Sequence, residues 1–335
     1  MKSLVLSKDF LKGILFTSFI ALVLYYLWPS FGDIFLELKE ISFILLLLVS
    51  LLGILYQYFE GQMVKETVHS FTKEFSAFDG MFASCYSAFY RVVTFGAGTI
   101  FAEINFYHRK KIPVSQGVGV AIFRFMLFKT AALSIAILGL IFHFTYFYQM
   151  SSQMVWFTLL AIIVNFLING ILMVTALNTK LQVLLVRFSH RFAKGEKARK
   201  FVDQTNLQIN GLRKTLKGVL KDKERLCFIY FWSIVKALTW FILPYLCLIG
   251  DHPDLSLVKS IILISFVTVL SGIIPSPAGI GSFEFVYLLI FRPYVGTVDA
   301  ASSLLLYRFA SFILPFLIGL IYVIVTKKEV IKNHH

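Results

Sequence analysis

Residues 271–285 read SGIIPSPAGIGSFEF (Ser271–Phe285), and they cut an otherwise membrane-like pattern in two. The run LVKSIILISFVTVL precedes this stretch and VYLLIF follows it. Between them stand Pro275, Pro277, Gly272, Gly279, Gly281 and the carboxylate Glu284. Proline removes a backbone donor and glycine weakens a helix interior, so one continuous helix cannot run through. In hydrocarbon the freed backbone groups must face protein or a watered cavity, never lipid. The segment is therefore expected at the tip of a helical hairpin near the membrane midplane. An ordinary short loop between two full spans would satisfy the same pattern.

The surroundings support a membrane setting. Of 335 residues 58% are hydrophobic, 36 are Phe, and the mean hydropathy is +0.79. A soluble domain is about half apolar, and crossing the bilayer takes about 20 apolar residues. The apolar segments are Phe10–Trp28, Ile41–Phe59, Met81–Phe101, Gly117–Phe142, Met154–Leu177, Leu226–Ile249, Leu257–Ile274, Ser276–Phe291 and Ala300–Val325. This predicts an all-α polytopic membrane protein forming a single integral membrane domain over 1–335. The first segment is too long for a signal peptide and no small-residue cleavage site follows, so it is expected to be retained. Three cysteines without a CxxC pair, seven histidines without metal-ligand spacing, and the lack of a GxxxxGK[ST] loop predict no metal, no cofactor and no built-in ATPase.

Charge distribution orders the segments. The stretch Lys180–Arg225 carries 13 Lys/Arg against four acids. By the positive-inside rule it is cytoplasmic, as are the N-terminus (Lys2, Lys8, Lys12) and the tail (Lys327, Lys328, Lys332). If Met81–Phe101 crossed fully, Arg109–Lys111 and the basic stretch would both lie outside. A segment that dips in and returns keeps them inside. With six full spans and two re-entrant or short paired hairpins, 24 cations lie inside and only Lys39, Lys259 and Arg292 outside. A bacterial plasma membrane, with both termini cytoplasmic, is the expected setting.

The two hairpins resemble each other. Gly96 and Gly98 mark the first core, Gly279 and Gly281 the second; Glu103 and Glu284 follow, then Arg124-Phe125 and Arg308-Phe309. From the second glycine to the arginine is 26 residues in one and 27 in the other. Since the hairpins open to opposite sides, the pattern predicts an inverted repeat, with units 41–142 and 226–325 and a site at the midplane. Chance matches between Gly-rich spans are the alternative.

Charges at membrane depth cost about 2.5–3.5 kcal/mol on insertion scales and face a partner or a wet cavity. Arg91, Arg308, Lys236 and Glu284 are the deepest, with Arg124 and Lys129 nearer the cytoplasmic edge. The arginines suit the phosphate of a lipid headgroup. Alternatively, Arg308–Glu284 and Arg91–Glu103 brace the hairpins as ion pairs. Leu181, Leu184, Leu185, Phe188 and Phe192 alternate with cations, so the basic segment 178–225 reads as an amphipathic surface on anionic inner-leaflet lipids or as a solvated hairpin. No recognition module accompanies it, so no nucleic-acid partner is expected.

Pro275-Ser-Pro277-Ala-Gly279-Ile-Gly281-Ser-Phe-Glu284, followed by Arg308, resembles the flippase-like membrane domain of bacterial lysylphosphatidylglycerol synthases, which has stand-alone members. The resemblance runs over nearly the whole chain; the first hairpin shares Gly96, Gly98 and Arg124 but lacks the prolines. It implies translocation of a phospholipid or glycolipid between leaflets, with Pro275, Pro277, Gly279, Gly281, Glu284 and Arg308 as functional positions. In the two-part synthases aminoacyl transfer resides in further parts, and ten residues after Val325 leave no room for them, so translocation is expected rather than lysyl transfer. The rival reading is a membrane transferase using Asp33, Glu37, Glu40, Asp251 or Asp254. A third is an accessory role beside a lipid-modifying enzyme, and a homo-oligomer fits any of them.

Overall fold

The computed structural model describes residues 41–332 apart from 95, 193–194, 275 and 277–280. Phe10–Trp28, Asp33, Glu37, Glu40, Pro275, Pro277 and Gly279 therefore lie outside the described residues. The regular elements among the described residues are all helical: α1 (Phe43–Val68), α2 (Ala77–Val93), α3 (Thr99–Arg109), α4 (Val114–Met150), α5 (Ser152–Leu177), α6 (Thr179–Phe192), α7 (Glu196–Val219), α8 (Lys223–Phe241), α9 (Leu243–Leu248), α10 (Leu257–Ser271), α11 (Ser282–Arg308), a π-helical turn (Phe309–Ile313) and α12 (Leu314–Lys332). Polar caps set several starts. Ser76 and Asp79 form a reciprocal box at α2, and Ser151, Asp222 and Ser256 accept backbone N–H groups at α5, α8 and α10.

Five stretches are long and apolar enough to cross a membrane: Phe43–Val68, Val114–Met150, Ser152–Leu177, Lys223–Leu248 and Ser282–Thr326. α5 shows what such a helix presents to lipid. It buries a narrow stripe of Val155, Thr158, Ala161, Ile162 and Asn165, while Phe157 and Phe166 are exposed. The run Ser282–Thr326 has 45 residues, about 68 Å if straight, twice the hydrocarbon depth. It breaks at Gly296, whose φ of +83° only glycine adopts without strain, just after Pro293. Residues 282–295 are thus a separate arm and the final span begins after them, as the separation of Ser276–Phe291 from Ala300–Val325 anticipated.

The first hairpin is α2 and α3. At 17 and 11 residues they measure about 26 and 17 Å, each short of a full crossing. Lys110 Nζ lies 2.6 Å from Asp79 Oδ1, so the two ends of the hairpin meet at one base. The second hairpin is α10, 15 residues or about 23 Å long, and the first arm of α11. Its base sits elsewhere: Lys259 Nζ lies 4.0 Å from the ring centroid of Tyr146, near the C-terminal end of α4. The first hairpin leads directly into the N-terminal end of α4. The hairpins thus enter the bundle from opposite ends of α4, which kinks at His143 before the Tyr146 end.

Two expectations about segment limits are revised. Ile41–Phe59 stops nine residues short of the end of α1, because Glu60, Gln62, Met63 and Lys65 are good helix formers and the helix continues through them. The basic segment is two helices, and α7 turns Leu212, Leu216 and Val219 into the protein. It docks on α4 at a glycine pair, where a Cβ on Gly119 would lie 2.1 Å from the carbonyl oxygen of Gly211. Gly119→Val is expected to push α7 off α4 and lower stability by about 1–3 kcal/mol, read as a lower melting temperature in detergent. An unchanged melting temperature would mean that the two helices are not held together there.

Candidate functional site

Each hairpin tip is closed by its own polar groups. At the first, the Thr94 hydroxyl donates to the Tyr90 carbonyl at 2.6 Å and accepts the Gly98 N–H at 2.7 Å. Gly96, at φ +90°, donates its N–H to the Arg91 carbonyl at 2.7 Å. At the second, Gly281 has φ +99° and donates its N–H to Glu284 Oε2 at 2.6 Å, capping α11. Glu284 Oε1 lies 2.6 Å from Arg308 Nε, so the pairing expected between these residues is present. Ser276 and Ser282 share a hydrogen bond of 2.7 Å across the turn.

Described residues flanking both tips line one cavity of about 460 Å³. Arg91, Arg124, Lys129 and Arg308 line it, with hydroxyls from Ser84, Ser87, Thr99 and Ser282 and no carboxylate among its described lining residues. Helix ends explain the placement. Arg91 is in the last turn of α2 and Lys129 Nζ rests against Gly272, at the end of α10, so both cations sit at the negative ends of the entering arms. The return arms α3 and α11 begin at the cavity, Thr99 and Ser282 lining it, and offer their positive ends. The result is an electropositive, hydroxyl-rich chamber suited to an anionic oxygen group.

One expected pairing is not formed. Glu103 does not meet Arg91: Arg124 Nη2 takes one of its oxygens at 2.8 Å and the Tyr107 hydroxyl the other at 2.8 Å. The second arm of Arg124 reaches Glu60 at 2.5 Å, and Lys236 contacts the other oxygen of Glu60. These side chains tie α1, α3, α4 and α8 into one buried network beside the cavity. Glu60, Glu103 and Lys236 are 1, 2 and 2% exposed. Within it two carboxylates balance two cations.

That leaves the cavity unevenly compensated. Arg124 and Arg308 have acids, while Arg91 and Lys129 have none within 4 Å among the described residues. Arg91 lies over the Phe312 ring at 4.9 Å, its Nε buried without a hydrogen-bond partner, and Lys129 lies over Phe125 at 5.6 Å. Glu60, and Tyr56 and Gln57, which line the cavity, did not emerge from the sequence. Glu60 follows directly on Phe59, where the apolar run ends and an acid reads as an interface residue. Among the described residues no cluster of three or more His, Cys, Asp or Glu could hold a metal.

A family model, the lysylphosphatidylglycerol synthase TM region, matches residues 4–319. The chain belongs to this family. The match covers both hairpins, the charged network and the cavity, so they belong to the family's membrane domain. It agrees with the resemblance carried by Pro275–Glu284 and Arg308, and with a multi-pass membrane protein of lipid-related function. Neither curated proteins nor solved structures gave a match.

Proposed function

We propose that the protein moves a polar lipid headgroup between leaflets, its phosphate resting in the cavity between the two hairpin tips. The observation that carries this reading is the pair of uncompensated cations, Arg91 and Lys129, in a chamber that both hairpins reach from opposite ends. A phosphate offers the charge that Arg91 and Lys129 lack, and acceptor oxygens for Arg91 Nε and the Ser311 hydroxyl, which line the cavity unpaired among the described residues. In this reading the hairpins are the two halves of an inverted repeat, over 41–142 and 226–325, and each gates one side. The cations of α6 and α7 hold anionic lipids at the cytoplasmic mouth.

Leaflet exchange in proteoliposomes tests it. Headgroup-labelled lipids are followed with an impermeant quencher, with wild type beside Arg91→Gln. Wild type is expected to exchange phosphate-bearing lipids, and Arg91→Gln to slow exchange by about tenfold or more, since a charge-assisted hydrogen bond contributes about 1.5–3 kcal/mol. No exchange by wild type for any lipid would overturn the reading.

A further inference from the structure

The charge balance around the central cavity limits the kind of phosphate it fits. Five cations stand at the cavity or in the network beside it: Arg91, Arg124, Lys129, Lys236 and Arg308. Three carboxylates face them, and each is already engaged. Glu60 serves Arg124 and Lys236, Glu103 serves Arg124 and the Tyr107 hydroxyl, and Glu284 serves Arg308 and the Gly281 N–H. Two positive charges remain over. They belong to Arg91 and Lys129, which meet the rings of Phe312 and Phe125 and no acid within 4 Å among the described residues.

A charge at membrane depth is costly until it is balanced, and an aromatic face balances only part of it. A phosphate diester carries one negative charge and leaves one of the two cations over. A phosphate monoester or a diphosphate carries at least two above about pH 7, because a monoester takes its second charge near pH 6. The donors favour the same ligand. Arg91 Nε, Arg124 Nε and the Ser311 hydroxyl belong to residues lining the cavity, and all are buried without a hydrogen-bond partner among the described residues. A monoester presents three terminal acceptor oxygens, and a diester one fewer. An ammonium-bearing headgroup meets the reverse situation, adding a cation where these carboxylates are all taken.

We propose, on the headgroup-binding reading above, that the central cavity takes a headgroup with two negative charges, a phosphate monoester or a diphosphate, in preference to a phosphate diester. This deepens that reading by naming the charge of the cargo.

The test is equilibrium binding of single-chain probes to the purified full chain in detergent. Decyl phosphate, its methyl ester and decyl diphosphate share one tail and differ in charge. At about pH 8 wild type is expected to bind decyl phosphate or decyl diphosphate about tenfold more tightly than the methyl ester, the effect of one further charge-assisted contact. At about pH 5 decyl phosphate carries a single charge, so its advantage should shrink to within about threefold. Arg91→Gln and Lys129→Met each remove one of the two surplus charges, and each should bring the preference at the higher pH to within about threefold. Should Arg91→Gln fail to fold, Lys129→Met carries the test. Equal affinity of wild type for one charge and for two, a decyl phosphate preference that persists at the lower pH, or one that survives Lys129→Met overturns the proposal. Two methyl-ester molecules bound per chain in place of one doubly charged probe also overturn it. Inorganic phosphate and pyrophosphate separate the sources of such a ligand. If they compete as well as the decyl probes, the doubly charged ligand stands but is a soluble one, which defeats lipid translocation alone. Exchange of monoester and diester lipids at equal rates, with equal binding, defeats the double-charge preference alone.

Discussion

Glu60→Ala is expected to lower stability by about 3–5 kcal/mol, the largest effect of any single substitution in the charged network. The cause is not the loss of one favourable contact. Glu60 is the shared acid of Arg124 and Lys236, and it is 1% exposed. Its removal leaves Lys236, itself 2% exposed, with its charge facing Arg124 and only Glu103 to serve that arginine. Thermal unfolding in detergent, with size-exclusion profiles as a check on folding, measures the effect. A second variant separates charge from packing. Glu60→Gln combined with Lys236→Met removes both partners of one pair, so it should recover part of the loss. If the double variant is no more stable than Glu60→Ala, the damage lies in packing around α1 and not in an orphaned ammonium.

The second large effect is expected at Glu284, and on transport rather than on folding. Glu284→Gln keeps an oxygen to accept the Gly281 N–H but removes the charge that holds Arg308. Hydrogen bonds to charged groups contribute about 1.5–3 kcal/mol, so leaflet exchange is expected to fall by about tenfold to a hundredfold. Glu284→Asp retains the charge and should be the milder change. Thermal unfolding of the same samples tells a transport defect from misfolding. Exchange at the wild-type rate in Glu284→Gln would mean that the Arg308 contact plays no part in the cycle.

Punctuation made the hairpins legible. Gly96 and Gly98, and the glycines and prolines at 272–281, interrupt apolar runs where no soluble loop is called for, and the arms at those places are short helices. Arg308 and Glu284 were legible for the same reason, as charges in an apolar setting. Pairing was harder to read. Arg91 and Glu103 are close in sequence, but Glu103 lies on the side of α3 that meets α4, and Arg124 reaches it there. Nearness along the chain says little about which helix face a side chain shares. Glu60 stayed hidden because a hydropathy boundary marks where side chains stop being apolar, and a helix can run on past that point. The lipid-facing reading rested on Leu181–Phe192 of the basic segment; the burial of Leu212, Leu216 and Val219 and the approach of Gly119 to Gly211 show that its second helix faces protein.

The cationic chamber at the hairpins also has an electrical consequence. Water in a protein cavity carries the potential of the side to which it connects, so voltage falls over the least polar layer that remains. The rings of Phe283 and Tyr307, which line the chamber, and of Tyr287 beside them would be part of that layer, which is then shorter than the whole hydrocarbon core of about 30 Å. With that chamber hydrated, a unit charge passing those rings would move through a large share of the membrane potential, which is worth about 2.3 kcal/mol per 100 mV in full. The rings would then act as the insulator of the molecule, and net charge on a cargo would decide how strongly voltage favours its direction of travel.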